Sequence, residues 1–268
     1  MKNNILRIII VMSVFICVAY NIISSSATSL NAVAENDLTD SLSIEIYENA
    51  DLKKTESNIN KLTKQKRAEE ESLRLEEERL ESYYNFETQL KEGKINLRQL
   101  FSDTYFAGDS LMHGLNSYRV LDSAKMSTMV NASLYHLRDN INRIVANNPS
   151  ELVLHYGINM LVDSDSSIKS FIELYSDYID ILKEQLPDTE IYISSIFNVS
   201  EKVSKRYSAI GKYNDALKQM CSEKDVKFID NSVILPGDGS YYGEDGIHLS
   251  KEFYSDVWLP HLFYSMSL

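Results

Sequence analysis

Cysteine, glycine and proline are scarce in this chain, and each scarcity excludes a class of protein. The 268 residues include 2 cysteines, 9 glycines and 4 prolines. Cys17 lies in an apolar N-terminal run, which leaves Cys221 alone in the rest of the chain. Neither a disulfide framework nor a cysteine-based zinc site is therefore expected there. With 44% hydrophobic and 25% charged residues, the composition indicates a globular chain rather than a low-complexity one.

Positive charge is also in short supply. Lysine and arginine total 27 against 39 aspartates and glutamates, so the formal net charge is −12, and no Lys/Arg-rich block stands out. Proteins that bind nucleic acid need a basic footprint on the phosphate backbone. The sequence therefore predicts no nucleic-acid partner.

Residues 1–34 have the pattern of an export signal. Lys2 and Arg7 precede an apolar run, and no further charge occurs before residue 35. The run is slightly long for a signal peptide and slightly short for a membrane span, so a cleaved signal and a retained membrane anchor both stay open. Because the positive residues precede the run, either case predicts an extracytoplasmic protein, secreted or membrane-anchored.

Residues 35–95 contain one glycine, no proline and a charge-dense core, KQKRAEEESLRLEEERLESYY. This composition predicts a long solvated helix that serves as a stalk. Lys66, Glu69 and Glu76 interrupt its heptad register, so any coiled coil would be weak, and a flexible charged linker is the alternative. The apolar heptad positions are Leu52, Ile59, Leu62, Leu73, Leu80, Tyr83 and Leu90.

From residue 96 to residue 268, strand-like and helix-like stretches alternate. TYFAGDS, SELVLHYG, TEIYISSIF and VKFID read as strands, and the segments after them include long amphipathic helices. Strands separated by helices of this length predict βαβ units and a parallel sheet covered on both faces. The chain is therefore expected to carry one α/β domain over residues 96–268.

Three weak motifs stand at the carboxyl ends of these predicted strands. Ser110, in FAGDSLMHGL, is either a nucleophile beside an anion-binding helix start or a helix cap. A serine nucleophile needs a base and an orienting carboxylate, and among five histidines only His248 has one nearby in a suitable loop, Asp245 in YYGEDGIHLS. Asn159, in LHYGINML, is either an amide donor for a developing oxyanion or a turn residue.

Together, FAGDSLMHGL, YGIN and DGIH resemble the sequence blocks of the GDSL, or SGNH, hydrolase family over residues 103–268. The resemblance implies a flavodoxin-like three-layer α/β/α fold and a serine esterase that uses no metal or cofactor. It would make Ser110 the nucleophile, His248 the base and Asp245 its orienting carboxylate. The implied oxyanion donors are the Ser110 backbone N–H, the Asn159 side chain and a backbone N–H in the second block.

Two positions depart from the family pattern. In VNASLYHL, His136 stands about where the family has a glycine whose N–H would be the third oxyanion donor. Met160 stands where the family often has an aspartate that supports the serine loop. Neither change removes a reacting group, so we expect activity, with a narrow substrate range.

The domain leaves little room for a lid, so the site is expected to be open and shallow, which suits a small ester better than a long acyl chain. The expected substrate is an acetyl-like ester on a cell-surface glycan. Acetyl transfer to such a polysaccharide beside a membrane O-acyltransferase is one alternative, and a non-catalytic glycan-binding or scaffold module is another. The membrane would be a further partner if the N-terminal segment is not cleaved.

Overall fold

The computed structural model describes residues 41–235 and 239–267, so the expected export segment at residues 1–34 lies outside the described residues. The chain divides into two compact units between Leu73 and Arg74. Among the described residues, no helix is both long and apolar enough to cross a bilayer.

The charge-dense segment forms a long helix, α1 (Ser41–Lys91). Ion pairs one turn apart support it, such as Lys66–Glu70 at 3.7 Å, although exposed pairs of this kind contribute only about 0.3–0.5 kcal/mol each. The heptad residues Leu52 and Ile59 are exposed at 62% and 56%. The predicted helix is therefore present, whereas its service as a stalk or a coiled coil stays a prediction.

The second unit contains the parallel sheet. Its strands are β1 (Thr104–Gly108), β2 (Met126–Thr128), β3 (Glu151–His155), β4 (Glu190–Ser194) and β5 (Lys227–Ile229). Its further helices are α2 (Leu97–Leu100), α3 (Ser110–Ser117), α4 (Tyr135–Asn147), α5 (Asp165–Gln185), α6 (Ile210–Lys224) and α7 (Leu259–Met266), the last continuing a π-helical segment over Phe253–Trp258.

All five strands run parallel in the order β2-β1-β3-β4-β5. This is the flavodoxin-like order, in which the chain changes winding direction between β1 and β3. All five residues of β1 are buried, as are four of five in β3 and in β4, because helices cover both faces of the sheet. The expected three-layer α/β/α class is confirmed.

β2 is the one strand that the sequence pattern does not predict. It is three residues long and pairs only with β1, at the edge of the sheet. A strand this short has no periodicity to detect, and its position depends on β1 being in place first.

The last turns of α1 belong to the second unit. The rings of Phe86 and Phe263 stack with centroids 4.7 Å apart, and the ring of Tyr83 meets that of Tyr264 edge-on at 5.2 Å. The compact unit includes residues from Arg74 onward, and the domain start at residue 96 stays a prediction.

Phe86→Ala is expected to destabilise this unit, because it removes a half-buried ring stacked on α7. We expect a loss of about 1–2 kcal/mol, less than for a fully buried phenylalanine, seen as a fall in Tm of about 3–6 °C. Tyr84→Ala is the control, since that neighbouring ring is 58% exposed and should change Tm little. Equal Tm values for both variants would mean that the end of α1 does not support the fold.

Candidate active site

The carboxyl ends of β1 and β3 bring Ser110 and Asn159 to the same edge of the sheet. Gly108 pairs with His155 at the ends of these adjacent strands. Ser110 begins α3 two residues after Gly108, and Asn159 lies in a 3₁₀ turn over Ile158–Met160. In flavodoxin-like sheets, ligands bind at this β1/β3 switch point.

Asp109, not Ser110, caps α3. The Asp109 side chain accepts a hydrogen bond from the Leu111 N–H at 3.0 Å, and Ser110 is the first helical residue. The Ser110 backbone N–H is one of the first N–H groups of the helix, which have no acceptor within the helix. Ser110 is 9% exposed. Because another residue satisfies the cap, the Ser110 hydroxyl is not committed to the capping role that the sequence left open.

The Asp109 carboxylate also joins the loops after β1 and β3. One oxygen accepts from Leu111, and the other accepts from the Gly157 N–H at 3.2 Å. The side chain is fully buried, and burial raises the pKa of Asp109 to about 7 against the lowering effect of these N–H donors and of the charge on His248. The carboxyl thus fixes the serine relative to the loop that carries Asn159.

Gly157 makes the turn that presents Asn159. Its φ of +149° is one that side chains rarely adopt, and a Cβ atom there would lie 2.3 Å from Ile196 Cδ1. Asn159 is exposed, and its Nδ2 donates to the Ala132 carbonyl at 2.9 Å. That bond uses one amide N–H and orients the side chain, so the second N–H is free to face a substrate oxygen.

Asp245 and His248 form a hydrogen-bonded pair in a tight loop. The His248 Nδ1 lies 2.5 Å from Asp245 Oδ2, while Asp245 Oδ1 accepts from the backbone N–H groups of Ile247 and His248. Burial opposes the charge on Asp245, but these hydrogen bonds outweigh it and lower the pKa of the carboxyl to about 2. The carboxylate therefore stays ionised and accepts the hydrogen bond from Nδ1–H, which leaves Nε2 available to accept a proton.

Gly246 allows this loop to turn. It has a φ of +72°, and a Cβ there would lie 2.3 Å from Ser200 Oγ. The loop is closed by a bridge between Tyr242 and Leu249 and by the Gly243 N–H, which donates to the His248 carbonyl at 2.8 Å.

In the described part of the chain, His248 makes no hydrogen bond to the serine loop. When protonated, it lowers the pKa of Asp109, the neighbour of Ser110. Within residues 41–235 and 239–267, the structure shows no hydrogen bond between His248 and Ser110. Catalytic hydrogen bonds are often long in unliganded sites and tighten when substrate binds. The triad of Ser110, His248 and Asp245 thus stays a prediction, with the Asp245–His248 half formed.

His136 is engaged within the first turn of α4. Its backbone N–H donates to the Ser133 carbonyl at 3.0 Å, and its Nδ1 accepts from the Ser133 N–H at 3.0 Å. The imidazole Nδ1 is therefore occupied by a hydrogen bond at the start of α4. An oxyanion role for the His136 N–H stays a prediction, and it would require this N–H to share its bond or turn away from Ser133.

Met160 links the loops after β2 and β3. Its sulfur accepts a hydrogen bond from the Leu134 N–H at 3.2 Å. The sequence indicated only that a methionine here loses a polar support. The contact with Leu134 depends on two loops that are distant in sequence, so no local sequence pattern predicts it.

The other histidines have structural partners. The Nδ1 of His113, in the first turn of α3, is hydrogen-bonded to Thr128 Oγ1 at 3.0 Å. The Nε2 of His261 is hydrogen-bonded to the Asp230 carbonyl at 3.0 Å. His155 is buried beside Ser194, and burial lowers its pKa to about 3. Among the described residues, no three His, Cys, Asp or Glu side chains are grouped as metal ligands.

No family model matches the chain, and no curated protein matches it. Solved structures do. A GDSL-like lipase from Bacteroides thetaiotaomicron is 11% identical, with 61% of this chain and 86% of that chain covered and a TM-score of 0.46. An acetylxylan esterase from Geobacillus stearothermophilus is 11% identical over 61% and 90%, with a TM-score of 0.44. A peptidoglycan O-acetylesterase is 15% identical over 53% and 45%, with a TM-score of 0.45.

The strand order and the two covered faces of the sheet define the fold class. The second unit has the three-layer α/β/α fold that the sequence resemblance to the GDSL, or SGNH, hydrolases implied.

Three substitutions separate the roles of the triad. Ser110→Ala should abolish labelling by a fluorophosphonate probe, and His248→Ala should lower kcat by several powers of ten because the hydroxyl loses its base. Asp245→Asn should cost about 100-fold less than His248→Ala, since the base remains. Steady-state kinetics on a nitrophenyl ester measure the series. If His136→Ala proves as damaging as His248→Ala, the base has been assigned to the wrong histidine.

Asn159→Ala should lower kcat about 10²–10³-fold with little change in KM, because an oxyanion donor acts chiefly in the transition state. Asn140→Ala is the matched control, since Asn140 Nδ2 donates to the His136 carbonyl at 2.8 Å and so also supports the start of α4. Similar losses in both variants would mean that Asn159 only orders the loop after β2.

Proposed function

We propose that this chain is a serine ester hydrolase that acts on small acyl esters through an acyl-enzyme. The observation that carries the proposal is the Asp245–His248 pair, in which a hydrogen bond of 2.5 Å between the carboxylate and Nδ1 orients the imidazole. A buried helix-start serine and an exposed amide donor on one sheet edge, together with an oriented imidazole, match the roles that acyl transfer requires.

Acylation begins with attack of Ser110 Oγ on the ester carbonyl carbon, while its proton passes to His248 Nε2. The carbonyl electron pair moves to the oxygen, which the Ser110 N–H and the second Asn159 amide N–H stabilise. When this pair returns, the bond to the alcohol oxygen breaks and Nε2–H protonates the departing alcohol. Asp245 stabilises the imidazolium throughout, without taking its proton.

Deacylation repeats these steps with water as the nucleophile. His248 takes a proton from the water, the hydroxide oxygen bonds to the acyl carbon, and the Ser110 ester bond breaks. The proton on Nε2 returns to Ser110 Oγ, and the free acid leaves. No group beyond the ester and water is consumed.

We propose acetyl-like esters on cell-surface glycan as the substrate. Asn159 is exposed, and the His248 and Asp245 side chains are 51% and 48% exposed, so a polymer can reach these three side chains directly. The basic-then-apolar residues 1–34 support an extracytoplasmic site of action. This accessibility also favours a second candidate, acetyl transfer, in which a sugar hydroxyl replaces water at the deacylation step.

The test is turnover of nitrophenyl acetate by the purified chain, with the labelled residue identified by mass spectrometry. Activity should persist in EDTA, and a fluorophosphonate probe should mark Ser110 alone. Adding a neutral oligosaccharide acceptor distinguishes the two candidates, since transfer would yield an acetylated sugar in place of acetate. A folded chain that neither turns over the ester nor reacts with the probe would be a binding module instead.

A further inference from the structure

A cavity of about 300 Å³ lies between the loops after β2 and β3 and the start of α5. It is separate from the Asp245–His248 loop, and none of the proposed catalytic groups lines it. The residues that line it include Tyr135, Met160, Val162, Ser166, Ser170 and Phe171.

The cavity adjoins the oxyanion side of the site through two short links. Met160 directly follows Asn159, and its sulfur binds the Leu134 N–H at 3.2 Å, next to Tyr135. Asn159 reaches the same loop through the Ala132 carbonyl. A ligand in the cavity would therefore contact Met160, the residue that follows Asn159, and Tyr135, the residue that follows Leu134.

The lining combines an exposed aromatic ring with hydroxyl groups. Tyr135 is 56% exposed and Val162 is 55% exposed, so both side chains present apolar surface to a ligand. Ser166 and Ser170 are both exposed and stand one helical turn apart on α5, so their hydroxyls point to the same side.

Among the residues that the structure describes, no charged side chain lines the cavity. The nearest acidic residue in sequence to Val162 is Asp163, which is paired with Lys212. A neutral ligand is therefore favoured over a phosphorylated or carboxylated one. A ligand with one apolar face for the ring and several hydroxyls for the serines is a sugar.

We propose that this cavity is a subsite for a neutral sugar ring of the substrate, with Tyr135 stacked on the ring and Ser166 and Ser170 bonded to its hydroxyls. The subsite rests on the proposed function in that it extends the ester-cleaving site along a glycan chain. An acyl chain fits less well, because it would cover the two serine hydroxyls without giving them a partner.

Direct binding tests the subsite without catalysis. Xylohexaose and chitohexaose, which carry no ester to cleave, are titrated into the full-length chain and followed by calorimetry and by saturation transfer from protein to sugar. Tyr135→Ala should raise the Kd of the better ligand about tenfold, the order expected for loss of one aromatic contact. The double variant Ser166→Ala, Ser170→Ala should weaken binding about fivefold or more.

Tyr84→Ala is the matched control, since Tyr84 is 58% exposed on α1 and lines no part of the cavity. It should leave the Kd unchanged. If neither hexasaccharide binds at 10 mM ligand, or if Tyr135→Ala binds as tightly as the unaltered chain, the subsite is wrong.

A second arm compares ester substrates. In Tyr135→Ala, the kcat/KM on an acetylated oligosaccharide should fall about tenfold relative to that on nitrophenyl acetate. If the variant instead loses its preference among nitrophenyl esters of different acyl length, the cavity holds the acyl group and the proposal is overturned. Sugar binding by a chain without esterase activity would leave the subsite standing and remove the proposed function, and activity without sugar binding would do the reverse.

Discussion

The buried carboxylate of Asp109 is the contact on which the arrangement of the site depends. It binds the Leu111 N–H at the start of α3 and the Gly157 N–H after β3, so one side chain sets the distance between the serine and the asparagine loops. The sheet places these loops side by side, but only loosely, since each leaves its strand by a turn of its own. The two hydrogen bonds that the fully buried Asp109 carboxylate accepts hold the two loops in a fixed relative position.

The carboxyl groups of Asp109 and Asp245 have different pKa values and roles because their surroundings differ. Burial raises the pKa of Asp109 to about 7, and its role is to hold the backbone. Asp245 lies in an exposed loop, where the hydrogen bond from His248 and two backbone N–H groups keep its pKa at about 2. The exposed carboxylate therefore carries a charge at all physiological pH values and suits the role of holding a charged imidazolium.

Burial and hydrogen bonding also distinguish the histidines from one another. His155 lies among Phe197, Trp258 and Ser194, and burial lowers its pKa to about 3, so it stays neutral as a core residue. His136 has its Nδ1 occupied by the Ser133 N–H. His248 alone combines an ionised carboxylate on one nitrogen with an exposed side chain. The proposed sugar subsite differs from that pair in being lined by uncharged polar and aromatic groups.

By itself, the sequence determined the parallel α/β class, the long helix and the candidates Ser110, Asn159, Asp245 and His248, because strand and helix periodicity and short turn motifs are local properties of the chain. Tertiary structure decided that Asp109 caps α3, that β2 exists, that the His136 N–H is engaged and that the end of α1 packs on α7. Each of these depends on groups brought together from distant parts of the chain. Periodicity cannot report such contacts, because their energy exists only once the sheet has aligned the loops.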